Sequence, residues 1–201
     1  MEISAANVKL LRERTGAPMM ECKRALTEAQ GDLAQAEVVL ARQGVAAAAK
    51  KAARVAAEGS VGSYIHAGGK LGVLVEVACE SDFVARTEEF QHLVHDLAMH
   101  IAASGPRYVS REQIPAEVLA AERARLREQA AASSPGKPPA VMDQIVEGRL
   151  GKFFEEHCLL DQHFIKDDKV TIAQLVAGKV AKFGENIQVR RYCRFKVGAD
   201  E

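Results

Sequence analysis

Val61-Gly62-Ser63-Tyr64-Ile65-His66 and Leu71-Gly72-Val73-Leu74-Val75-Glu76-Val77-Ala78-Cys79, separated by Ala67-Gly68-Gly69-Lys70, decide the fold class. Two runs rich in β-branched residues flank a pair of glycines suited to a tight turn, so the stretch reads as a β-hairpin. The second run is apolar on both faces, which predicts a central strand. Near the other end, Ile187, Val189, Cys193, Phe195 and Val197 alternate with Gln188, Arg190, Tyr192, Arg194 and Lys196. Period-two alternation predicts a strand with one apolar and one wet face. The apolar face is expected to be the buried one, which would make Cys193 a buried free thiol.

Working outward, the remaining periodicity is helical. Thr87 with Glu88 and Glu89 is a good helix start, and Phe90, Leu93, Val94, Leu97 and Ile101 then mark one apolar face up to Gly105. This helix should cover the sheet. Pro115 opens a helix over 116–131 that is rich in Glu and Arg and is expected to project or lie exposed; Ser133 to Pro139 reads as a linker. Met142, Ile145, Val146, Phe153 and Phe154 suggest the next helix, and Val170, Ile172, Leu175, Val176 and Val180 another, ended by Gly184.

Before the hairpin lie three short helices, each expected to close at a glycine: Gly16, Gly31 and Gly44. Ser4 and Asp32 suit N-caps and Pro18 a first turn. Val8 and Leu11, then Cys22, Ala25, Leu26 and Ala29, then Leu33, Ala36 and Leu40 supply three faces that can close a bundle, marginal alone at about 45 residues. Val45 to Ala57 is alanine with interspersed Lys50, Lys51 and Arg54. High helix propensity with little to bury reads as a solvated helical tether. The expected organisation is α+β: a three-helix domain over 1–45, a helical linker over 46–58, and a small antiparallel sheet covered by helices over 59–201, with an exposed helix at 116–131.

The 201 residues are 48% hydrophobic and carry 27 basic against 27 acidic side chains, enough to bury a real core and without the positive excess that sequence-independent nucleic-acid binding draws on. Direct nucleic-acid contact is not expected. Apolar runs such as Leu71 to Cys79 fall far short of the roughly 20 residues that cross a bilayer. Met1-Glu2-Ile3 lacks the basic and apolar segments of a secretory signal, so the expected location is cytoplasmic, without a membrane partner. Cys22, Cys79, Cys158 and Cys193 are widely spaced, as reduced, packed thiols are.

Gly68-Gly69-Lys70-Leu71-Gly72 lacks the GxxxxGK[ST] spacing of a phosphate loop and joins two strands, so no cofactor is expected on this chain. His92, His95 and Asp96 share one helical face but lack a fourth ligand, so no metal is expected; solvated residues opposite an apolar stripe look the same. His157 and Cys158 are adjacent in sequence, whereas a catalytic pair meets from separate segments. No catalytic residue is expected. The most informative segment is Glu80-Ser81-Asp82-Phe83-Val84-Ala85-Arg86. Residue types alone favour Phe83 tucked into the core with Ser81 or Asp82 capping a helical turn; the alternative presents Phe83 to a partner as an anchor.

Leu11 to Leu26, LRERTGAPMMECKRAL, resembles the amino-terminal signature of the elongation factor Ts family, and Glu76 to Arg86 resembles its second signature. Tyr64-Ile65-His66, Ile145 to Leu150, Leu159 to Gln162, Phe164 to Asp167, Gly184 to Ile187 and Val189 to Arg191 are also similar, so the likeness spans nearly the whole chain. Pro18, Ala78, Ser81 and His163 stand where the family more often has glycine, asparagine, threonine and proline. None removes the Asp82–Phe83 pair.

The resemblance implies a guanine nucleotide exchange factor for elongation factor Tu in translation elongation, with no catalysis of its own. It implies that the amino-terminal bundle is similar to ubiquitin-associated domains and binds the partner through Arg12, Met19 and Met20, although core filling is the plain reading of two methionines. It implies that Ser81, Asp82, Phe83 and Val84 form a loop that intrudes on the magnesium site of the GDP-bound partner and promotes GDP release. The chain looks like the short, single-core form, which implies a homodimer and a two-plus-two complex. The competing readings are an adaptor of the ubiquitin-associated type without exchange activity, supported by the bundle alone, and a cysteine or metal enzyme built from the scattered Cys and His.

Overall fold

The structure, a computed structural model, describes residues 3–134 and 136–199. Met1, Glu2, Asp200 and Glu201, at the ends of the expected domains, and Pro135, in the expected linker, lie outside the described residues. The chain is α+β, with eight α-helices among the described residues and a small antiparallel sheet. It divides into two compact units, one formed by residues 1–99 with 173–201 and the other by 100–172.

The first unit opens with α1 (Ala5–Thr15), α2 (Met19–Glu28) and α3 (Leu33–Lys51). Ser4 Oγ accepts from Asn7 N and Asp32 Oδ1 from Gln35 N, so both expected N-caps form. Gly16 closes α1 in the left-handed region at φ 68°. Val8, Leu11, Cys22, Ala25, Leu26 and Ala36 build the bundle core. Gly44 does not end a helix: α3 continues through it to Lys51. Nor is the alanine-rich stretch simply solvated. Gly44 is buried beside the backbone of Ala177, and Lys51 Nζ donates to the carbonyl of Val180 at 3.5 Å. Both partners lie on α8 (Ile172–Phe183). A mid-helix glycine costs about 1 kcal/mol against alanine, and a Cβ built on Gly44 would meet Ala177 at an ordinary 3.6 Å, so the site accepts alanine as well.

The sheet has the order β1 (Glu58–Ile65), β2 (Leu71–Cys79), β5 (Gln188–Lys196), antiparallel throughout, with β2 central as expected. Its inner face buries Val73, Val75 and Val77. α5 (Glu88–Ser104) lies over that face at Gly62 and Val94, and Thr87 Oγ1 caps it by accepting from Phe90 N. Glu89 on α5 binds both Lys179 and Lys182 on α8.

β5 departs from the expected facing. Glu76 pairs with Arg191 and Val77 with Val189, so Arg190 is an extra, bulged residue. A one-residue bulge reverses the side-chain phase beyond it. Ile187 and Val189 therefore face inward, but past the bulge it is Tyr192 and Arg194 that are half-buried opposite Val75 and Val73. Phe195 and Val197 are exposed, and Cys193 is an exposed thiol rather than a buried one.

The second unit is built on a helical hairpin of α6 (Ala116–Ser133) and α7 (Pro139–His157), whose core is Leu126, Ala130, Val146 and Leu150. The helix expected to stand exposed thus buries one narrow stripe. A two-stranded ladder, β3 (His163–Phe164) with β4 (Asp167–Thr171), takes up Val170, which the periodicity had assigned to a helix. Arg111 binds Asp161 and lies 4.4 Å from the centroid of the Phe154 ring. His100 is fully buried between Gln162 and the backbone of Ile165.

Candidate partner-binding site

Ser81 to Ala85 leave the buried end of β2 and turn once as α4 (Asp82–Ala85). Ser81 is the N-cap, its Oγ accepting from Val84 N at 3.3 Å. Val84 and Ala85 are buried and foot the turn on the core, while Phe83 points the other way and is 77% exposed. Phe83 is therefore not the core residue that residue types favoured. Asp82 is exposed and pairs with Arg86 at 3.0 Å. Of the four loop residues singled out by resemblance, Asp82 and Phe83 present side chains outward, whereas Ser81 and Val84 hold the turn in place.

A turn this short does not sustain itself, because nucleating a helix costs more than one or two hydrogen bonds return. Its neighbours supply the hold. The Glu185 carboxylate accepts from Glu80 N and Ser81 N, both at 3.1 Å, and from Ser81 Oγ at 2.6 Å. In return Glu80 Oε1 accepts from Asn186 N at 2.6 Å. Asn186, 2% exposed, donates its side-chain amide to the carbonyls of Ala52 and Arg54, just beyond α3. At the exit, Gln91 Nε2 donates to the carbonyl of Ala85 at 2.7 Å. The Cys79 thiol donates to the Ser81 carbonyl; burial first, and then the charge of Glu185, pushes its pKa up and keeps the proton on sulfur. Glu185 lies 104 residues from Ser81 and Asn186 106 from Glu80; the stretch Gly184 to Ile187 stood out by resemblance, but nothing in the residues tied it to this loop.

Arg12, Met19 and Met20 flank the turn between α1 and α2. All three are exposed, Met19 at 49% and Met20 at 66%, so the methionines do not fill the bundle core. A third surface is the outer face of the sheet, where Val61, Ile65, Leu74, Phe195 and Val197 are each 49–71% exposed. Glu76 and Arg191 bind each other at its polar end at 2.7 Å.

The remaining candidates separate. His92 pairs with Glu88, and the His95 ring lies edge-on to Tyr64. Among the described residues no three His, Cys, Asp or Glu side chains converge as metal ligands would. Cys158 is fully buried and its thiol is pushed up to about 11, chiefly by burial, while His157 stands edge-on to the Phe153 ring. A thiol held protonated at neutral pH is a poor nucleophile. No helix among the described residues is long and apolar enough to cross a membrane.

An exposed aromatic on a braced turn, two exposed methionines and an exposed apolar sheet face are the features of proteins that bind other macromolecules. Comparison with known proteins gives the family. A family model described as "Elongation factor TS" matches residues 41–199. The chain is 61% identical to an elongation factor Ts of Koribacter versatilis, across 98% of this chain and 90% of that protein. It is 56% identical to the protein of that name from Solibacter usitatus, across 98% and 92%, and 57% identical to that from Moorella thermoacetica, across 98% and 96%. The chain belongs to the elongation factor Ts family, and its place is in translation elongation.

Proposed function

We propose that this chain is a guanine nucleotide exchange factor for elongation factor Tu, binding the GDP form, disturbing its magnesium site and accelerating GDP release without chemistry of its own. The observation that carries the reading is Phe83, exposed on a turn braced from both sides. An anchor held in its bound geometry loses little entropy on docking. Coupling is reciprocal: a factor that weakens GDP binding is itself bound less well when GDP is present.

Magnitudes divide the labour. Burying a phenylalanine yields roughly 1.5–3 kcal/mol, whereas moving a two-state site from roughly 1:99 to 99:1 takes about 5.5 kcal/mol of differential binding. The remainder comes from Arg12, Met19 and Met20, which add affinity and hold the loop against the partner. The amino-terminal domain, 1–45, thus serves binding, and the core, 59–201, serves displacement. The outer sheet face supports a homodimer, because an apolar surface of this kind is covered in stable proteins, and two such sheets can stack face to face. A two-plus-two complex in the cytoplasm follows.

Stopped-flow release of labelled GDP from elongation factor Tu tests the proposal. Acceleration that saturates with this protein is expected, and an unchanged release rate would overturn it.

A further inference from the structure

We infer that Glu185 is a positioning residue for exchange: its carboxylate fixes the direction in which Phe83 is presented. This inference rests on the exchange function proposed above. Glu185 engages three donors of the loop, Glu80 N, Ser81 N and Ser81 Oγ, at 3.1, 3.1 and 2.6 Å. With the Ser81 hydroxyl proton committed to Glu185, an oxygen lone pair is left for Val84 N, which the same oxygen accepts at 3.3 Å. The carboxylate therefore orients the cap, and the cap sets the turn on which Phe83 stands. The hydroxyl bond, at 2.6 Å, has the short length of a charge-assisted one, and the two amide bonds at 3.1 Å add direction to it.

The contact is doubled in the opposite sense, since Glu80 accepts from Asn186 N at 2.6 Å. Two short segments that exchange carboxylate and amide in both directions leave neither free to slide along the other. Asn186 carries the brace to the carbonyls of Ala52 and Arg54. The loop and the end of the amino-terminal helical segment are thus tied to one turn, Gly184 to Asn186, so that affinity gained at the bundle is delivered to Phe83 through a fixed link. Neither Glu185 nor Glu80 needs to touch the partner for this.

The test compares wild type, Glu185→Ala, Glu185→Gln, Phe83→Ala and the Glu185→Ala/Phe83→Ala double variant. Two readings are taken: GDP release as a function of factor concentration, and amide hydrogen exchange at Ser81 and Val84. Glu185→Ala should lower the maximal rate by roughly tenfold, equivalent to about 1.4 kcal/mol, with little change in the half-saturating concentration. Glu185→Gln, which keeps one carbonyl acceptor, should fall between the two and serves if the alanine variant does not fold. In the Phe83→Ala background the Glu185 substitution should add little, because the two residues act as one unit. Amide exchange at Ser81 and Val84 should rise in Glu185→Ala while the β2 amides stay protected. A full maximal rate in Glu185→Ala where Phe83→Ala is slow would overturn the inference and leave the exchange function standing. Unchanged amide exchange at Ser81 and Val84 would overturn it whatever the rates. If wild type fails to accelerate release, the exchange function is wrong and the inference falls with it as a statement about exchange.

Discussion

Val94 Cγ1 occupies the place of a side chain on Gly62: a Cβ built there would stand 2.2 Å from it. This one vacancy lets α5 settle on the sheet, at the level where β1 pairs with Val75 of the central strand. Gly62→Val should lower stability by about 1–3 kcal/mol through overpacking, measured as a reduced midpoint in urea unfolding. Adding Val94→Ala to Gly62→Ala should return part of what Gly62→Ala alone loses.

Phe83→Ala should slow the maximal GDP release rate by roughly ten- to hundredfold, the equivalent of one buried aromatic, with a complex still detectable. Asp82→Ala should act in the same direction and less. Stopped-flow traces at saturating factor read both, with circular dichroism to verify the fold; release as fast as wild type in Phe83→Ala would show that no wedge operates.

Met20→Ala should separate affinity from rate. The Met20 side chain is 66% exposed, so its truncation leaves the bundle core intact and removes only the partner contact proposed for it. A higher half-saturating concentration with an unchanged maximal rate is expected, and a loss of maximal rate alone would move Met20 from binding to displacement.

Phe195→Asp or Leu74→Asp should give monomers in sedimentation at micromolar concentration, with an unchanged unfolding midpoint extrapolated to the monomer. Both side chains are exposed on the outer sheet face, so a charge there costs the fold little and an apposed sheet much. Cys193 pairs with Leu74 across the strands on that face and is exposed, so oxidised protein run on a non-reducing gel should show a dimer band that Cys193→Ser abolishes.

His100 makes stability pH-dependent. Ile165 N donates to Nδ1 at 3.3 Å, and Nε2 meets Gln162 Oε1 at 3.0 Å, an arrangement that suits the neutral ring protonated on Nε2. Burial holds its pKa below the ordinary 6.5. The unfolded chain then binds the proton first, so the contribution is intact above about pH 6.5 and is lost as the pH falls through the folded value, by up to about 1.4 kcal/mol per pH unit. Urea midpoints from pH 7.5 to 5 should show this slope, and His100→Gln should flatten it at some cost in stability.

Local chemistry was legible in the residues. The diglycine turn between β1 and β2, the caps at Ser4, Asp32 and Thr87, and the stops at Gly16 and Gly184 each depend on neighbours within a few positions. The signature around Asp82 and Phe83 was legible as a resemblance, which implied an intruding loop, whereas residue types alone favoured Phe83 as core, because a phenylalanine after a buried strand is usually buried. Three features required tertiary structure. Gly44 sits within a helix instead of ending it, buried against Ala177, a neighbour 133 residues away in the chain. The bulge at Arg190 turns Cys193, Phe195 and Val197 outward, since strand phase depends on pairing with β2 and alternation within β5 cannot reveal a slip. Glu185 finds Ser81 across 104 residues of chain. By itself the sequence determined which segments turn, cap and alternate, because those preferences are settled by forces between near neighbours. Tertiary structure alone decided which faces meet water and which carboxylate braces the loop, because those outcomes depend on contacts that close only when the chain has folded.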